Sequence, residues 1–270
     1  MIPRAYITEW TQYAPWKSNE QVEQDLVISR VLVEIFSDEY LSKELAFRGG
    51  TALHKLYLSP QPGYSEDIDL VQVKEGAIGP LLDRLREVLD PLFESAAKYK
   101  KTLISNKLTY RFQSEFPPVQ NMRLKIEVNC REHFSELGYI KVPFKVNSKW
   151  YKGECMINTF RIEELLGTKL RALYQRKKGR DLYDLFTALD KAENIDADKI
   201  IRCYQAYIQH SQGSVPGLEV FVKNIEEKMN DPEFIGDTIG LIRPDIRWNA
   251  IQAYKVVKAE ILNKYVYPYA

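Results

Sequence analysis

Hydrophobic and polar positions follow different periods in the two halves of the chain. Before about residue 160, short runs with every second position apolar alternate with stretches of helical spacing. After that point only helical spacing remains. Five helices are expected there, at residues 161–177, 180–191, 196–210, 217–229 and 245–264. The pattern predicts an α/β (α+β) N-terminal half with a mixed sheet, residues 1–160, followed by an all-helical C-terminal half, residues 161–270.

The N-terminal half opens with an aromatic segment, residues 1–17, which we expect to be an irregular arm packed on the core. Ser18 to Gln21 have the sequence of a capping box, and helical spacing continues behind them to about residue 37. The other helices are expected at residues 51–57 and 78–93. Strands are expected at residues 45–47, 67–73, 107–112, 122–129, 139–146 and 154–159.

Two carboxylates stand one residue apart in the apolar run that begins at Asp67. Side chains alternate along a strand, so Asp67 and Asp69 point the same way. Carboxylates held this close repel unless a cation lies between them, and their oxygens are the hard ligands that Mg²⁺ prefers. The run therefore predicts a metal site. The alternative is a strand end whose aspartates face water or basic neighbours.

A glycine turn precedes the aspartates. Gly49, Gly50 and Thr51 open the short helix at residues 51–57. Backbone N–H groups in such a turn, together with a helix N-terminus, suit an anion. A metal site beside a phosphate-binding turn predicts nucleotide chemistry.

A third carboxylate is offered by the strand expected at residues 122–129. Its apolar and polar positions alternate, and Glu127 shares the polar face with Lys125. If this strand lies beside the aspartates, Glu127 joins Asp67 and Asp69, and three carboxylates can bind two Mg²⁺ ions. The alternative is an ordinary solvated face of an edge strand.

Lys169 interrupts the apolar stripe of the first C-terminal helix. Such a lysine either reaches the edge of the helix or meets a buried anion, for which a triphosphate is a candidate. The basic turn at Arg176–Arg180 follows, and Asp181 directly behind it is a candidate functional carboxylate. A turn of this kind can contact phosphate or RNA, although a solvated loop is the commoner arrangement.

Composition limits the class of partner. The formal net charge is +1, so any contact with nucleic acid must come from a local basic patch. A contiguous basic stripe from Lys177–Arg180 toward Lys141–Lys152 would favour RNA, and its absence a smaller acceptor. The three cysteines and three histidines have no metal-ligand spacing. We assign the histidines no role and expect His54 on a helix surface.

The chain shows no apolar run long enough to span a membrane, and its start lacks the basic and apolar regions of a signal peptide. Widely spaced cysteines without a disulfide pattern fit a reducing compartment. We therefore expect a cytoplasmic protein.

Five segments together resemble one known family, the AbiEii/AbiGii-type nucleotidyltransferase toxins of the polymerase-β-like nucleotidyltransferase superfamily. They are Phe47–Leu53, Ser65–Leu70, the strand with Lys125 and Glu127, Leu166–Leu173 and Arg180–Asp184. The resemblance covers nearly the whole chain. It implies a nucleotidyltransferase-like fold for residues 1–160, closed by the helical half.

The resemblance also implies a role for each candidate. Asp67, Asp69 and Glu127 would bind Mg²⁺, with Mn²⁺ as the alternative, and Asp181 would complete the active site from the helical half. The residues implied to bind the NTP are Gly49, Gly50, Thr51, Ser65 and Lys169, the last by neutralising the triphosphate. The implied reaction is attack of an acceptor hydroxyl on the α-phosphate, with release of pyrophosphate.

The implied acceptor is the 3′ end of tRNA, and the implied partner is a winged-helix antitoxin encoded nearby, in a system tied to phage resistance. Transfer to a protein or a small molecule is an alternative, as is a nucleotide-binding module without turnover. One departure concerns the arginine that relatives carry before the Ser-Glu-Asp step, because Gly63-Tyr64 stands there. Arg48 and Lys55 are the candidates to replace it.

Overall fold

The computed structural model describes residues 2–265, which form two compact units. The first comprises Met1–Ser135 and Tyr139–Phe160, and the second Glu136–Gly138 and Arg161–Ala270. Met1 and residues 266–270 lie outside the described residues. The last part of the predicted helical half falls in that range.

The first unit is built on a mixed sheet. Its strands are β1 (Leu45–Arg48), β2 (Asp67–Gln72), β3 (Lys98–Lys101), β4 (Ser105–Gln113), β5 (Asn121–Asn129), β6 (Ile140–Asn147) and β7 (Lys152–Thr159). They lie in the order β3-β4-β5-β2-β1-β7-β6. The pairs β2–β5 and β1–β7 are parallel, and the other neighbours are antiparallel.

The helices of the first unit pack either on its longest helix or directly on the strands. They are α1 (Arg4–Trp10), α2 (Asn19–Ser37), α3 (Leu41–Glu44), α4 (Gly49–Leu56) and α5 (Ile78–Leu89), with a 3-10 turn at Asp90–Leu92. Helix α2 begins as expected, because the Ser18 hydroxyl accepts a hydrogen bond from the Gln21 amide at 3.3 Å. It packs on β5, β6 and β7.

The aromatic segment at residues 1–17 is packed but not irregular. It forms helix α1, in which Ile7 and Trp10 are buried. The Trp10 indole donates a hydrogen bond to the buried Asp25 carboxylate at 2.9 Å. Burial of a large ring with its one polar atom satisfied stabilises this short helix, whose local sequence alone gives little helical signal.

Strand β3 and helix α3 were not predicted either. The sequence of β3, Lys98 to Lys101, has three lysines and one tyrosine, and all four residues are exposed. It exists because it pairs with β4, from Lys98 opposite Thr109 to Lys101 opposite Asn106. A strand held only by such pairing has no apolar alternation by which it can be recognised.

Alternation fixes the two faces of the central strands. In β2 and β5 the side chains of Ile68, Leu70, Ile126 and Val128 are buried. Residues between them point to the opposite face of the sheet. The central strands therefore pair an apolar face with a polar one, and the polar face carries the charged candidates.

The second unit consists of helices joined by short connections in the residues that the structure describes. They are α6 (Ile162–Gln175), α7 (Gly179–Lys191), α8 (Ala197–Gln212), α9 (Leu218–Met229), α10 (Pro232–Gly236) and α11 (Ala250–Glu260), with a 3-10 turn at Leu262–Lys264. Helices α6 and α8 pack most closely. A Cβ atom on Gly167 would lie 2.9 Å from the carbonyl oxygen of Ile200, so this approach requires glycine.

Glu164 ties residues 136–138 to this unit. Its carboxylate is fully buried and accepts hydrogen bonds from the backbone N–H groups of Glu136 at 2.7 Å and Leu137 at 3.0 Å. The Tyr207 hydroxyl donates a third at 2.8 Å. A buried carboxylate with these donors is stabilised in place, so residues 136–138 belong structurally with the helices.

Across residues 2–265, no helix combines the length and the apolar character that crossing a membrane requires.

Candidate functional site

The carboxylates predicted from the sequence meet on the polar face of the sheet. Strands β2 and β5 are adjacent and parallel, with Asp69 opposite Glu127 and Asp67 opposite Lys125. Neighbouring strands are about 4.8 Å apart, and residues two apart share a face. Asp67, Asp69 and Glu127 therefore form one patch, which we call the carboxylate site.

Two lysines lie within the carboxylate site. Lys125 Nζ is 2.5 Å from Asp67 Oδ2 and 3.8 Å from Glu127 Oε2, so its ammonium bridges two carboxylates. Lys107 Nζ is 3.0 Å from Glu127 Oε2, and the Ser105 hydroxyl donates to Glu127 Oε1 at 2.6 Å. These lysine, aspartate and glutamate side chains are only part buried, so solvent and ligands can reach them.

Asp69 differs from the other two carboxylates. Burial raises its pKa, the nearby charges of Asp67 and Glu127 raise it further, and Arg48 and Lys125 oppose them. Within the described residues, no lysine or arginine nitrogen forms a salt bridge with Asp69. Its cross-strand neighbour Arg48 is bonded to Glu132 instead. Asp69 is therefore the carboxylate with the greatest need for a cation.

The lysines hold the other charges. Burial lowers the pKa of Lys125, but its hydrogen bond to Asp67 and the negative charges of Asp67, Asp69 and Glu127 together raise it overall. For Glu127, burial raises the pKa, whereas hydrogen bonds from Ser105 and Lys107 lower it overall. Lys125 and Glu127 consequently both stay charged near neutral pH.

The donor chemistry of this patch suits a divalent cation. Three carboxylates crowd together, Asp69 shows the electrostatic strain that a cation relieves, and the Lys125 ammonium lies where positive charge is favoured. As the side chains stand, however, no three His, Cys, Asp or Glu residues of the described chain are arranged as a metal-binding group. Lys125 and Lys107 instead hold two of the carboxylates.

The glycine turn lies directly against Asp69. Gly49 has a φ of +82°, and a Cβ atom there would collide with Asp69 Oδ2. Only glycine meets both conditions without strain. Helix α4 begins at Gly49, so the unpaired N–H groups of its first turn, which includes Gly50, lie next to the carboxylate site.

Thr51 and Ser65 connect the turn to strand β2. The Thr51 hydroxyl donates to the Asp67 carbonyl oxygen at 2.6 Å, and the hydroxyl oxygens of Thr51 and Ser65 are 2.6 Å apart. A hydroxyl has one proton, so Ser65 is the donor to Thr51. Both protons are used, and the pair locks the position of Asp67 relative to the turn.

Neither candidate replacement for the missing arginine is available. Arg48 is bonded to Glu132. Lys55 Nζ is 2.8 Å from Asp25 Oδ2 and 2.9 Å from the Ser29 hydroxyl, and its side chain is only 3% exposed. Lys55 is therefore a structural cation of the helix layer, which helix spacing alone did not reveal.

The sequence suggested that His54 lies on a helix surface, and this prediction was wrong. His54 is buried, and its Nδ1 lies 2.7 Å from the carbonyl oxygen of Gly63. The ring fastens helix α4 to the loop that carries Gly63-Tyr64. Its burial follows from that loop folding back, which the helical period does not encode.

Lys169 lies in the second unit and does meet buried anions. Its Nζ is 2.6 Å from Asp184 Oδ2 and 3.4 Å from Asp181 Oδ1. Arg176 donates to both oxygens of Asp181, at 2.6 Å and 2.7 Å. Burial lowers the pKa of Lys169, but the charges of Asp184 and Asp181 raise it overall. We call these four residues the helical charge cluster.

The basic turn is an ion-paired connection. Lys177 is bonded to Asp231, Lys178 Nζ is 3.2 Å from Asp237 Oδ1, and Arg180 donates to both oxygens of Asp237 at 2.9 Å and 3.0 Å. Arg176 is held by Asp181. Each cation of the turn has a carboxylate partner that offsets its charge, and the side chains of Lys177, Lys178 and Arg180 stay 44–50% exposed.

The structure thus gathers the sequence candidates into two groups. The first unit holds Gly49, Gly50, Thr51, Ser65, Asp67, Asp69 and Glu127, and the second holds Lys169 and Asp181. Sequence reasoning missed the partners Lys107, Lys125 and Asp184. Alternation placed Lys125 on the face of Glu127, but only the register across β2 and β5 brings it to Asp67.

Comparison with known proteins gives a family match and several similar structures, two of which are described here. The matching family model describes the nucleotidyl transferase AbiEii toxin of type IV toxin–antitoxin systems and covers residues 30–254. MenT4, a nucleotidyltransferase toxin from Mycobacterium tuberculosis H37Rv, is 15% identical, with a TM-score of 0.58 over 95% of this chain and 99% of that chain. Comparison with curated protein sequences gives no match.

The second structure is an antigenic nucleotidyltransferase-like protein from Paracoccidioides brasiliensis. It is 17% identical, with a TM-score of 0.39 over 75% of this chain and 93% of that chain. The likeness to MenT4 extends over almost the whole chain and shows a shared fold.

Proposed function

The chain belongs to the AbiEii family of nucleotidyltransferase toxins, and from that membership we propose that it transfers a nucleoside monophosphate from an NTP to the 3′ hydroxyl of a tRNA. Pyrophosphate is the leaving group. The toxin acts in the cytoplasm, where both substrates are found.

The observation that carries this proposal is the register of β2 and β5. It sets Asp69 opposite Glu127. Asp67 lies two residues earlier in β2 on the same face, and Gly49 packs against Asp69. Carboxylates for a cation and amide groups for an anion thus adjoin each other. A nucleoside triphosphate with its bound cation presents both kinds of group.

Asp67, Asp69 and Glu127 are the residues that would hold Mg²⁺, with Mn²⁺ as the alternative. Such an ion, when bound, supplies charge stabilisation at phosphoryl oxygens and lowers the pKa of a coordinated hydroxyl. For Glu127, burial raises the pKa, but hydrogen bonds from Ser105 and Lys107 lower it overall and so keep this carboxylate ionised. Thr51 is a positioning residue, because its hydrogen bond fixes the backbone of Asp67 relative to the turn.

The first turn of helix α4, at Gly49 and Gly50, receives phosphate oxygens through backbone N–H groups. With its proton donated to Thr51, Ser65 orders this turn instead of donating to phosphate in the described geometry. For the second unit we propose that Lys169 neutralises a phosphate oxygen of the nucleotide and that Asp181 completes the active site. The raised pKa of Lys169 keeps its ammonium charged, which supports this role.

Membership of a type IV toxin–antitoxin family implies an antitoxin partner. We propose that this partner is a winged-helix protein encoded beside the toxin, and that the pair acts in phage defence. Coexpression of the two proteins, with growth as the readout, is the test of this partnership.

Transfer to a protein or a small molecule is a second candidate. It is favoured by the ion pairing of the basic turn, which offsets the positive charge of the most obvious cationic loop. The two candidates share the carboxylate site and differ only in the acceptor.

The test is incubation of the purified protein with total tRNA, Mg²⁺ and each α-³²P-labelled NTP in turn. Label should enter RNA and should vanish in Asp67→Ala. The matched control is Asp83→Ala, which removes an exposed carboxylate from helix α5 in the same unit. Label in protein would shift the acceptor to the second candidate, and label in Asp67→Ala equal to wild type would refute the catalytic site.

A further inference from the structure

The face of the sheet that carries the carboxylate site continues outward as a cationic surface. Register aligns Asp69 with Glu127, Glu127 with Lys107, and Lys107 with Lys100, in one row from β2 to the edge strand β3. Further along the same strands, Arg111 lies opposite Arg123. Both arginines are an even number of residues from that row, so they share its face.

These cations differ in whether they are already paired. Lys107 and Lys125 are held by carboxylates of the site. Within residues 2–265, Lys98, Lys100, Arg111 and Arg123 form no ion pair. The free positive charge therefore begins where the carboxylate site ends and extends over β3, β4 and β5.

Arg111 and Arg123 are the least expected pair of this surface. Like charges directly opposite each other on neighbouring strands destabilise a sheet. Both side chains are exposed, and both line a cleft of about 680 Å³ with the amide side chains of Gln113 and Asn121. Two guanidinium groups and two amides converging on one cleft form a donor set for an anion with several oxygens.

The cleft is too far along the strands to be part of the nucleotide site. Arg123 precedes Glu127 by four residues, which is roughly 13 Å at 3.3 Å per strand residue. A polynucleotide carries one phosphate per about 3.4 Å of a stacked strand. A strand whose end lies at the carboxylate site would thus bring its backbone to the arginine pair about four nucleotides away.

We propose that Arg111 and Arg123 form a phosphate clamp for the acceptor RNA, binding a backbone phosphodiester a few nucleotides before the reacting 3′ hydroxyl. The inference rests on the proposed function and specifies how the same site receives its acceptor. Phe112 and Met122 also line the cleft, one residue along from the arginines on each strand and therefore from the opposite face of the sheet. Glu94 is a carboxylate on its wall and opposes the anion.

The first test measures binding of a fluorescent single-stranded RNA by anisotropy, without NTP. The Arg111→Ser/Arg123→Ser variant should bind at least tenfold more weakly. The magnitude of its slope of log K against log salt should fall by about 0.7, the value for the loss of one single-strand phosphate contact. Glu94→Gln, which removes a repelling charge, should tighten binding about twofold.

The matched control is Lys17→Ser/Lys74→Ser. It removes two positive charges from exposed loop positions of the same unit, and neither lysine forms an ion pair within the described chain. It should change neither affinity nor slope. Equal loss in both double variants would mean that net charge alone attracts RNA, and would overturn the clamp. If polyglutamate of matched charge competed with the RNA as well as unlabelled RNA does, the clamp would also be overturned.

The second test separates the clamp from the chemistry. Transfer to a dinucleotide acceptor, too short to reach the cleft, should be unchanged in the arginine variant, whereas KM for full-length tRNA should rise at least tenfold. Loss of transfer to both acceptors would overturn the clamp. If wild type transfers no nucleotide to RNA, the proposed acceptor fails, while salt-dependent RNA binding through the arginine pair still decides the cleft by itself.

Discussion

The carboxylate site and the helical charge cluster contain similar charged residues but differ in their exposure to solvent. In the first unit, Asp67 and Glu127 are 38% and 22% exposed and their lysines 32% and 28%. In the second unit, Asp181 and Asp184 are 0% and 5% exposed and Lys169 is 10% exposed. One set of ion pairs is open to solvent, and the other is sealed among helices.

The difference determines what each cluster can do. An exposed ion pair contributes little to stability, so a ligand can replace one partner at small cost. A buried pair has lost the hydration of both charges, and removing either partner leaves the other uncompensated. The carboxylate site is thus built for exchange, whereas the helical charge cluster holds Lys169 and Asp181 in fixed positions. The role proposed for Lys169 therefore requires a phosphate oxygen to reach a side chain that is only 10% exposed and already paired with Asp184.

The largest expected effect is on activity in the open cluster. Asp67→Asn should lower kcat/KM for nucleotide transfer at least 10³-fold, about 4 kcal/mol of transition-state stabilisation, because a charged ligand is lost. Its free energy of unfolding should change by less than about 1 kcal/mol, since the Lys125 pair is exposed. Steady-state transfer assays measure the change in kcat/KM, and urea denaturation measures the change in the free energy of unfolding. A large stability loss would abolish the contrast between the clusters.

The next effect is on stability in the sealed cluster. Lys169→Ala leaves Asp181 and Asp184 buried without the ammonium that contacts both, and should cost about 3–5 kcal/mol. Urea denaturation measures it. The double variant Lys169→Met/Asp184→Asn, which removes a pair instead of one partner, should recover part of the loss. Without recovery, the cost would come from packing and not from charge.

Alkaline pH sharpens the same point. The folded pKa of Lys169 is raised above its ordinary 10.5, so its pairing stabilises the protein fully below that pH. The contribution is lost as pH rises through the folded pKa. Wild type should therefore lose more stability than Lys169→Ala between neutral pH and pH values above 10.5, as followed by denaturation at each pH.

A smaller effect is expected at the turn beside the open cluster. Gly49→Ala pays about 1–2 kcal/mol for its left-handed backbone and also displaces Asp69. Activity should fall roughly tenfold to a hundredfold, or about 1.4–2.7 kcal/mol. Gly213→Ala is the control, because Gly213 has a φ of +73° with no atom within 4 Å of the added Cβ. It should lose stability alone, and equal activity loss there would refute the contact with Asp69.

The smallest effect is expected where the sealed cluster reaches solvent. Arg176 is 51% exposed, and Asp181 keeps Lys169 when Arg176 is removed. Arg176→Gln should therefore cost less than about 1 kcal/mol in urea denaturation. A cost near that of Lys169→Ala would show that the arginine belongs to the buried part of the cluster.

The sequence predicted those parts of the site that depend on local pattern. Alternation in β2 and β5 placed Asp67, Asp69 and Glu127 on a polar face, and the glycine pair marked the start of helix α4. Each of these signals lies within a few residues of chain. The mixed sheet followed from the same alternation, apart from β3, which has no apolar face of its own.

What the sequence could not predict depends on partners far away in the chain. Lys55 looked free to bind phosphate, but it is paired with Asp25 from another helix. The carboxylate partner of Lys169 at 2.6 Å is Asp184, on the next helix. Such pairs require the packing of two elements, and no local period specifies it. The roles of the site residues remain predictions.

The register between β2 and β5 determines which single-residue deletions the protein tolerates. Deleting Ile126 would shift Glu127 into its inward position and bring the apolar Val128 opposite Asp69. Several substitutions in β5 preserve the pattern, but no single-residue deletion inside it does. A deletion scan should therefore find residues 121–129 intolerant as a block, whereas the loop at residues 114–120 should accept shortening. In β5 the site therefore depends first on the spacing of the residues and only then on their identity.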